Sequence, residues 1–218
     1  MIDIHTHILP GVDDGSQNTQ ESLEMLKIQL NQGINRVVLT PHVYSVAQKV
    51  SSKSFPSLFE NFQKVVKDKF PEISLYLGAE LKYNPHRNMD FESLAFKGFN
   101  HKYILIEFSM RVKEPIVEVL YNLTRSGYTP ILAHGERYLY LNLDDYKQIK
   151  KDGTLIQINS GAVLNLDGHK LKRRANLLLK NNLVDLIASD AHNTDTRSPN
   201  LKEALDKVSK TFIQKELT

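Results

Sequence analysis

The chain has 218 residues, 41% of them hydrophobic and 24% charged, and a formal net charge of +3. That is enough for one domain over residues 1–218, with an ordinary globular balance and too little charge to argue nucleic-acid binding. With no cysteine, a disulfide framework, a zinc–thiolate site and a cysteine nucleophile are excluded, and no run is long and apolar enough for a membrane span or a secretory signal, so a cytoplasmic location without membrane insertion is expected.

Short apolar runs alternate with longer amphipathic stretches. IDIH is the first run. SLEMLKIQLNQG follows, with Leu23, Leu26 and Leu30 at helical spacing, Gly33 as a stop, and Asn18 and Glu21 placed as the two ends of a capping box. RVVLTPH is the second run, and YSVAQKVSSKS (44–54) is the most loop-like segment. FPSLFENFQKVVKDKF reads as a helix with Leu58, Phe62, Val65 and Val66 on one face. ISLYLGAE is the third run. Residues 82–102 are irregular, a candidate lid or substrate loop. YILIEF is the fourth run. EPIVEVLYNLTRSG then opens with Pro115 and stops at Gly127, a helix signature. TPILAH is the fifth run, DDYKQIKKDG a helix, TLIQINSG the sixth run, LKRRANLLLKNNL a helix, DLIASDAH the seventh run and NLKEALDKVSKTF a closing helix. Such alternation predicts parallel strands buried on both faces and covered by helices.

The last residues of the runs share one chemistry. The first ends in His5 and His7, the second in His42, the third in Glu80, the fourth in Glu107, the fifth in His134 and the seventh in Asp190 and His192. In a barrel of parallel strands, or in an open sheet, these ends line one face. Imidazole with carboxylate suits zinc, manganese, iron or nickel. Asp14, between Gly11 and Gly15, adds a ninth candidate, whereas Asp13 reads as a turn residue. A lone strand-end histidine is more often structural, each glutamate has a lysine reading, and Asp190 has a helix-cap reading; needing all of these together makes the bland account poor. His86, His101 and His169, in polar surroundings, are read as non-ligands. Nine ligands exceed one ion with open positions, so two or three ions sharing carboxylates are expected, suited to displacement at phosphorus. Arg137 and Arg197 lie on loops beyond ligand-bearing strand ends and are read as a phosphate clamp. The basic group KLKRR (170–174) is read as a solvated helix face.

DIHTHILPGVDDG, TPH, GAE, LIEF, AHGERY and SDAHN, in this order, resemble the polymerase and histidinol phosphatase (PHP) superfamily. The closer resemblance is to its bacterial metal-dependent protein tyrosine phosphatases from capsule and exopolysaccharide gene clusters. It implies a distorted TIM-like (β/α)7 barrel, parallel strands with helices outside. It also implies three divalent ions, usually manganese, with iron, zinc or magnesium as substitutes. Carried over by position, the ligands would be His5, His7, Asp14, His42, Glu80, Glu107, His134, Asp190 and His192. Arg137 and Arg197 would bind phosphate. The implied substrate is the phosphotyrosine tail of a cognate autophosphorylating tyrosine kinase that controls polysaccharide export. Gly135 departs from the proline or bulkier residue common in relatives, which implies a looser loop. The expected activity is therefore a metal-dependent phosphomonoesterase acting on protein phosphotyrosine. Rival expectations are a histidinol-phosphate-type phosphatase, a nuclease, an amidohydrolase and a metal-binding regulatory module without activity.

Overall fold

In a computed structural model describing residues 1–218, the seven apolar runs form nine strand segments. The order is β1 (Ile2–Thr6), α1 (Thr19–Asn31), β2 (Arg36–Leu39), β3 (His42–Val43), α2 (Phe55–Lys69), β4 (Ser74–Leu77), β5 (Glu80–Lys82), α3 (Phe91–Leu94) and β6 (Tyr103–Glu107). It continues with α4 (Ile116–Arg125), β7 (Thr129–Leu132), α5 (Leu143–Lys151), β8 (Leu155–Asn159), α6 (Ser160–Leu164), α7 (His169–Lys180), β9 (Leu186–Ala188) and α8 (Leu201–Val208). Each expected helix is present. Asn18 caps α1 by accepting from the Glu21 N–H at 3.0 Å, although Glu21 returns its bond to the Gln17 N–H. Gly127, at φ +86°, ends the turn after α4. The irregular span 82–102 contains the single-turn helix α3.

Every pairing is parallel. β1-β2-β4 forms one sheet and β3-β5-β6-β7-β8-β9 another. These are two parts of one curled surface, because β2 and β3 come from the second apolar run and β4 and β5 from the third. The breaks have local causes. Pro41 has no N–H to donate between β2 and β3. At Gly78, between β4 and β5, a side chain would collide with the Phe96 ring, 2.4 Å from an ideal Cβ. Residues 96–97 wedge in there: Phe96 donates to Tyr103 O at 3.0 Å and Lys97 to Leu77 O at 2.8 Å. At the other edge β9 returns to β1, with Asp190 N–H donating to His5 O and His7 N–H to Ala191 O, both at 2.9 Å. The result is the expected distorted barrel, its distortion concentrated in the second and third strands.

The larger apolar cluster packs helices against the outside of the sheet. A smaller one fills the lower interior with Ile2, Ile4, Val38, Leu105, Ile131, Leu155, Leu186 and Ala188, closed below by Leu217. Because side chains alternate along a strand, the inner face that begins with Leu105 continues to Glu107, and that beginning with Ala188 continues to Asp190. The apolar floor thus fixes which polar residues point into the mouth. β1 needs a register shift between Asp3 and Thr6 to place His5, directly after inward Ile4, on the same side.

Candidate metal centre

The strand ends converge. His5 Nε2 and His7 Nε2 lie 3.3 Å apart. Each is 3.3 Å from Glu80 Oε2 and 3.4 Å from Asp190 Oδ1. His42 Nε2 and His192 Nε2 each lie 3.5 Å from Asp14 Oδ1. His134 Nε2 is 2.8 Å from Glu80 Oε1 and 3.7 Å from Glu107 Oε2. Three groups have ligand atoms within 4.8 Å of one another: His7, Asp14, His42 and His192; His5, His7 and Asp190; His42, Glu80 and Glu107. His7 and His42 are each shared by two groups. All nine predicted positions therefore meet in one place, with His134 joined through Glu80. His86, His101 and His169 are exposed.

These atoms fit cations better than they fit one another. His42 Nδ1 and Glu80 Oε2 stand 3.0 Å apart but, like the buried His192 Nε2, form no hydrogen bond of proper geometry, which is costly for groups that stay unpaired. Donor atoms about 2.1 Å from a common ion stand about 3.0–3.4 Å apart, close to the 3.3–3.4 Å spacings around His5 and His7. Burial and the charge of Glu80 push the Glu107 carboxyl up to about 7, opposed by Lys82 and His42. Burial, reinforced by Arg137, pulls His134 down to about 4; burial, reinforced by His7, does the same to His192. Both are then neutral with a free lone pair, the form that binds a metal.

The backbone is bent to make this centre. His134 and Asp190 hold left-handed φ values of +36° and +53°, a strained state for residues with side chains. Gly15 approaches His7 so closely that an ideal Cβ would lie 2.2 Å from His7 O and 2.4 Å from His7 Cβ. Gly135 is buried and its carbonyl accepts from the Tyr146 hydroxyl at 2.7 Å. The loop is packed there rather than loosened.

Asp13 corrects the sequence reading. It does bond its own turn, accepting from Gly15 N–H at 2.9 Å. It is also fully buried, with Oδ2 2.7 Å from His7 Nδ1 and 2.9 Å from the His42 N–H. This carboxylate orients His7 from behind, as outer partners of metal-bound histidines do. Burial opposes charge on both groups, but their attraction outweighs it: His7 is held well above the ordinary histidine value and Asp13 well below the carboxylate range. The signal in DDG was indistinguishable from that of any acidic turn.

Above the centre is a cavity of about 380 Å³, lined by Asp14, His42, Glu107, Arg137, Arg197 and the 44–47 loop among others. Arg137 Nη2 and Arg197 Nη2 both donate to Asp190 Oδ2, at 3.3 and 2.8 Å. Each guanidinium has five N–H donors, so most remain for a ligand. Lys82, which sequence reading passed over, also lines the cavity and donates to Phe108 O at 2.7 Å.

The chain matches the family model described as "Capsular polysaccharide synthesis, CpsB/CapC" over residues 1–218. It is 35% identical to tyrosine-protein phosphatase CpsB of Streptococcus agalactiae over 228 aligned residues, covering 97% of this chain and 91% of that protein. It is 33% identical to tyrosine-protein phosphatase YwqE of Bacillus subtilis, covering 97% of this chain and 85% of that one. Among solved structures, a metal-dependent tyrosine phosphatase from a study of B. subtilis YwqE and Streptococcus pneumoniae CpsB superposes with a TM-score of 0.86 at 31% identity, covering 97% of this chain and 87% of that one. A histidinol phosphate phosphatase from Lactococcus lactis, solved with zinc, histidinol and phosphate, shares the fold at a TM-score of 0.59 and 10% identity, covering 98% of this chain and 94% of that one.

Proposed function

The chain belongs to the CpsB/CapC capsular polysaccharide synthesis family, and from that membership we propose that it is a metal-dependent protein tyrosine phosphatase. The observation that carries the reading is the meeting of His5, His7, Asp14, His42, Glu80, Glu107, His134, Asp190 and His192 beneath Arg137 and Arg197 in a chain without cysteine. The three overlapping ligand groups favour three divalent ions, with manganese the expected metal. Bound there, the ions would activate water and neutralise charge developing on a transferring phosphoryl group.

The protein's own residues do the rest. Arg137 and Arg197 bind phosphate oxygens with donors not used on Asp190, and Asp190 fixes the position of both guanidinium groups. Asp13 and Gln157, each behind one histidine, hold His7 and His5 with Nε2 toward Glu80 and Asp190, the residues that with them would hold the ions. The departing phenolate, with a pKa near 10, needs little help from an acid. The open cavity suits a tyrosine side chain entering from a polypeptide. The substrate is proposed to be the phosphorylated tyrosine tail of a cognate capsule-regulating kinase, and the place of action the cytoplasm.

The test is metal analysis and reconstitution. The protein loaded with Mn²⁺ should hydrolyse a phosphotyrosine peptide, chelation should abolish turnover, and Mn²⁺ should restore it. Turnover that survives chelation, or faster hydrolysis of histidinol phosphate than of the peptide, would overturn the proposal.

A further inference from the structure

β8 comes from the sixth apolar run, the one run whose end carries no histidine or carboxylate. Its inward residues above Leu155 are Gln157 and Asn159, both buried. Gln157 Oε1 accepts from the His134 backbone N–H at 2.8 Å and faces His5 Nδ1 at 3.2 Å. Gln157 Nε2 donates to Asn159 Oδ1 at 2.9 Å, and Asn159 Nδ2 donates to Asp190 Oδ2 at 2.7 Å.

The direction of this chain is not arbitrary. A backbone N–H can only donate, so the oxygen of Gln157 must face His134. Its NH2 then faces Asn159, whose oxygen must accept, leaving the Asn159 NH2 for Asp190. His5 Nδ1 meets the same Gln157 oxygen, so it carries the proton and leaves Nε2 as a bare lone pair. We infer that Gln157 and Asn159 are positioning residues for the metal centre. One directional hydrogen-bond chain, anchored on the His134 backbone, sets the tautomer of His5 and the orientation of the Asp190 carboxylate. Three proposed ligands from three separate strands are thereby held by a strand that supplies none. This inference rests on the metal reading above.

The experiment measures Mn²⁺ affinity by competition with a chelator, for wild type, Gln157→Met, Asn159→Leu and the double variant, alongside thermal unfolding of each metal-free protein. Asn159→Leu removes the donor to Asp190 at similar volume and adds no charge. Each single variant is expected to bind Mn²⁺ about 10–100-fold more weakly. The double variant should lose less than the product of the two single losses, because the residues act through one chain. A merely structural role would lower the metal-free unfolding temperature and leave the affinity of the folded protein unchanged. Wild-type affinity in the single variants, or losses that multiply fully, would overturn the inference. If Gln157→Met does not fold, unchanged affinity in Asn159→Leu is sufficient to overturn it. A wild type that binds no Mn²⁺ overturns the metal reading and this inference together, whereas wild-type binding with unaffected variants overturns the inference alone.

Discussion

Replacing Asp13 with Asn tests the support behind His7 with almost no change of shape. The carboxylate accepts three hydrogen bonds, from His7 Nδ1 at 2.7 Å, the His42 N–H at 2.9 Å and the Gly15 N–H at 2.9 Å. Asparagine has one oxygen. If that oxygen serves His7 and His42, its NH2 abuts the Gly15 N–H and leaves a buried donor unpaired, a cost of about 1–3 kcal/mol. In the opposite orientation His7 must move its proton to Nε2, the atom that faces the ligand cluster. The metal-free protein should therefore unfold roughly 2–12 °C lower, at about 2–4 °C per kcal/mol for a chain of this size. Mn²⁺ affinity should fall about 10–100-fold. pH separates the two contributions. His7 has a raised pKa in the folded protein, so its ion-pair stabilisation is fully present below about 6.5 and fades as pH rises through the raised value. Asp13, held low, stays charged throughout that range. The stability gap between wild type and Asp13→Asn should thus be widest below pH 6.5 and narrow as pH rises through the raised His7 value. Thermal unfolding from pH 5 to 9 and Mn²⁺ titration measure both effects. An Asn variant with wild-type unfolding temperature and Mn²⁺ affinity would refute the assignment.

Gly15→Ala adds a carbon where His7 O would be 2.2 Å away. It should cut bound metal, read by elemental analysis, although no ligand is altered. Arg137→Lys keeps the charge but loses the forked donor set; kcat on a phosphotyrosine peptide should fall about 100–1,000-fold, and inhibition by inorganic phosphate should weaken with it. Glu136, raised to about 8 by burial against the opposing pull of Arg137, binds a proton in the folded state that the unfolded chain releases near 4.5. Its contribution lowers stability as pH rises from about 4.5 to 8, so Glu136→Gln should gain on wild type across that window and run parallel above it in thermal melts. Chelating a protein held at 100 times its metal dissociation constant should remove about 2.7 kcal/mol of stability, visible as a lower unfolding temperature.

The parallel architecture and the eight strand-end side chains were readable because both rest on local spacing: an apolar run, then a polar terminus. The irregularities were not. Nothing in RVVLTPH or ISLYLGAE announces that Phe96, distant in sequence, wedges in beside Gly78, although Pro41 and Gly78 mark where breaks are tolerated. His5 follows inward-facing Ile4 through a register shift that no residue type advertises. The support behind the ligands was hidden for a different reason. Asp13, Gln157 and Asn159 belong to residue types common in turns and polar strand ends, and only tertiary structure places them against His7, His5 and Asp190. Of these, Gln157 and Asn159 lay in the one apolar run that a search for ligands had no cause to inspect.

The seam between β1 and β9 has a consequence for how the molecule comes into being. Ser189 N–H bonds Asp3 Oδ1 across 186 residues of chain, and Asp190 and Ala191 bond the His5 and His7 backbone over the same gap. Contacts so remote in sequence are slow to form, since the loop they close must lose its entropy first. During synthesis the two earliest histidines therefore wait for nearly the whole chain before their carboxylate partner arrives. An ion bridging His5, His7 and Asp190 would tie the first strand to the last, so amide exchange along this seam should slow far more on metal loading than exchange in the β6–β7 pair opposite.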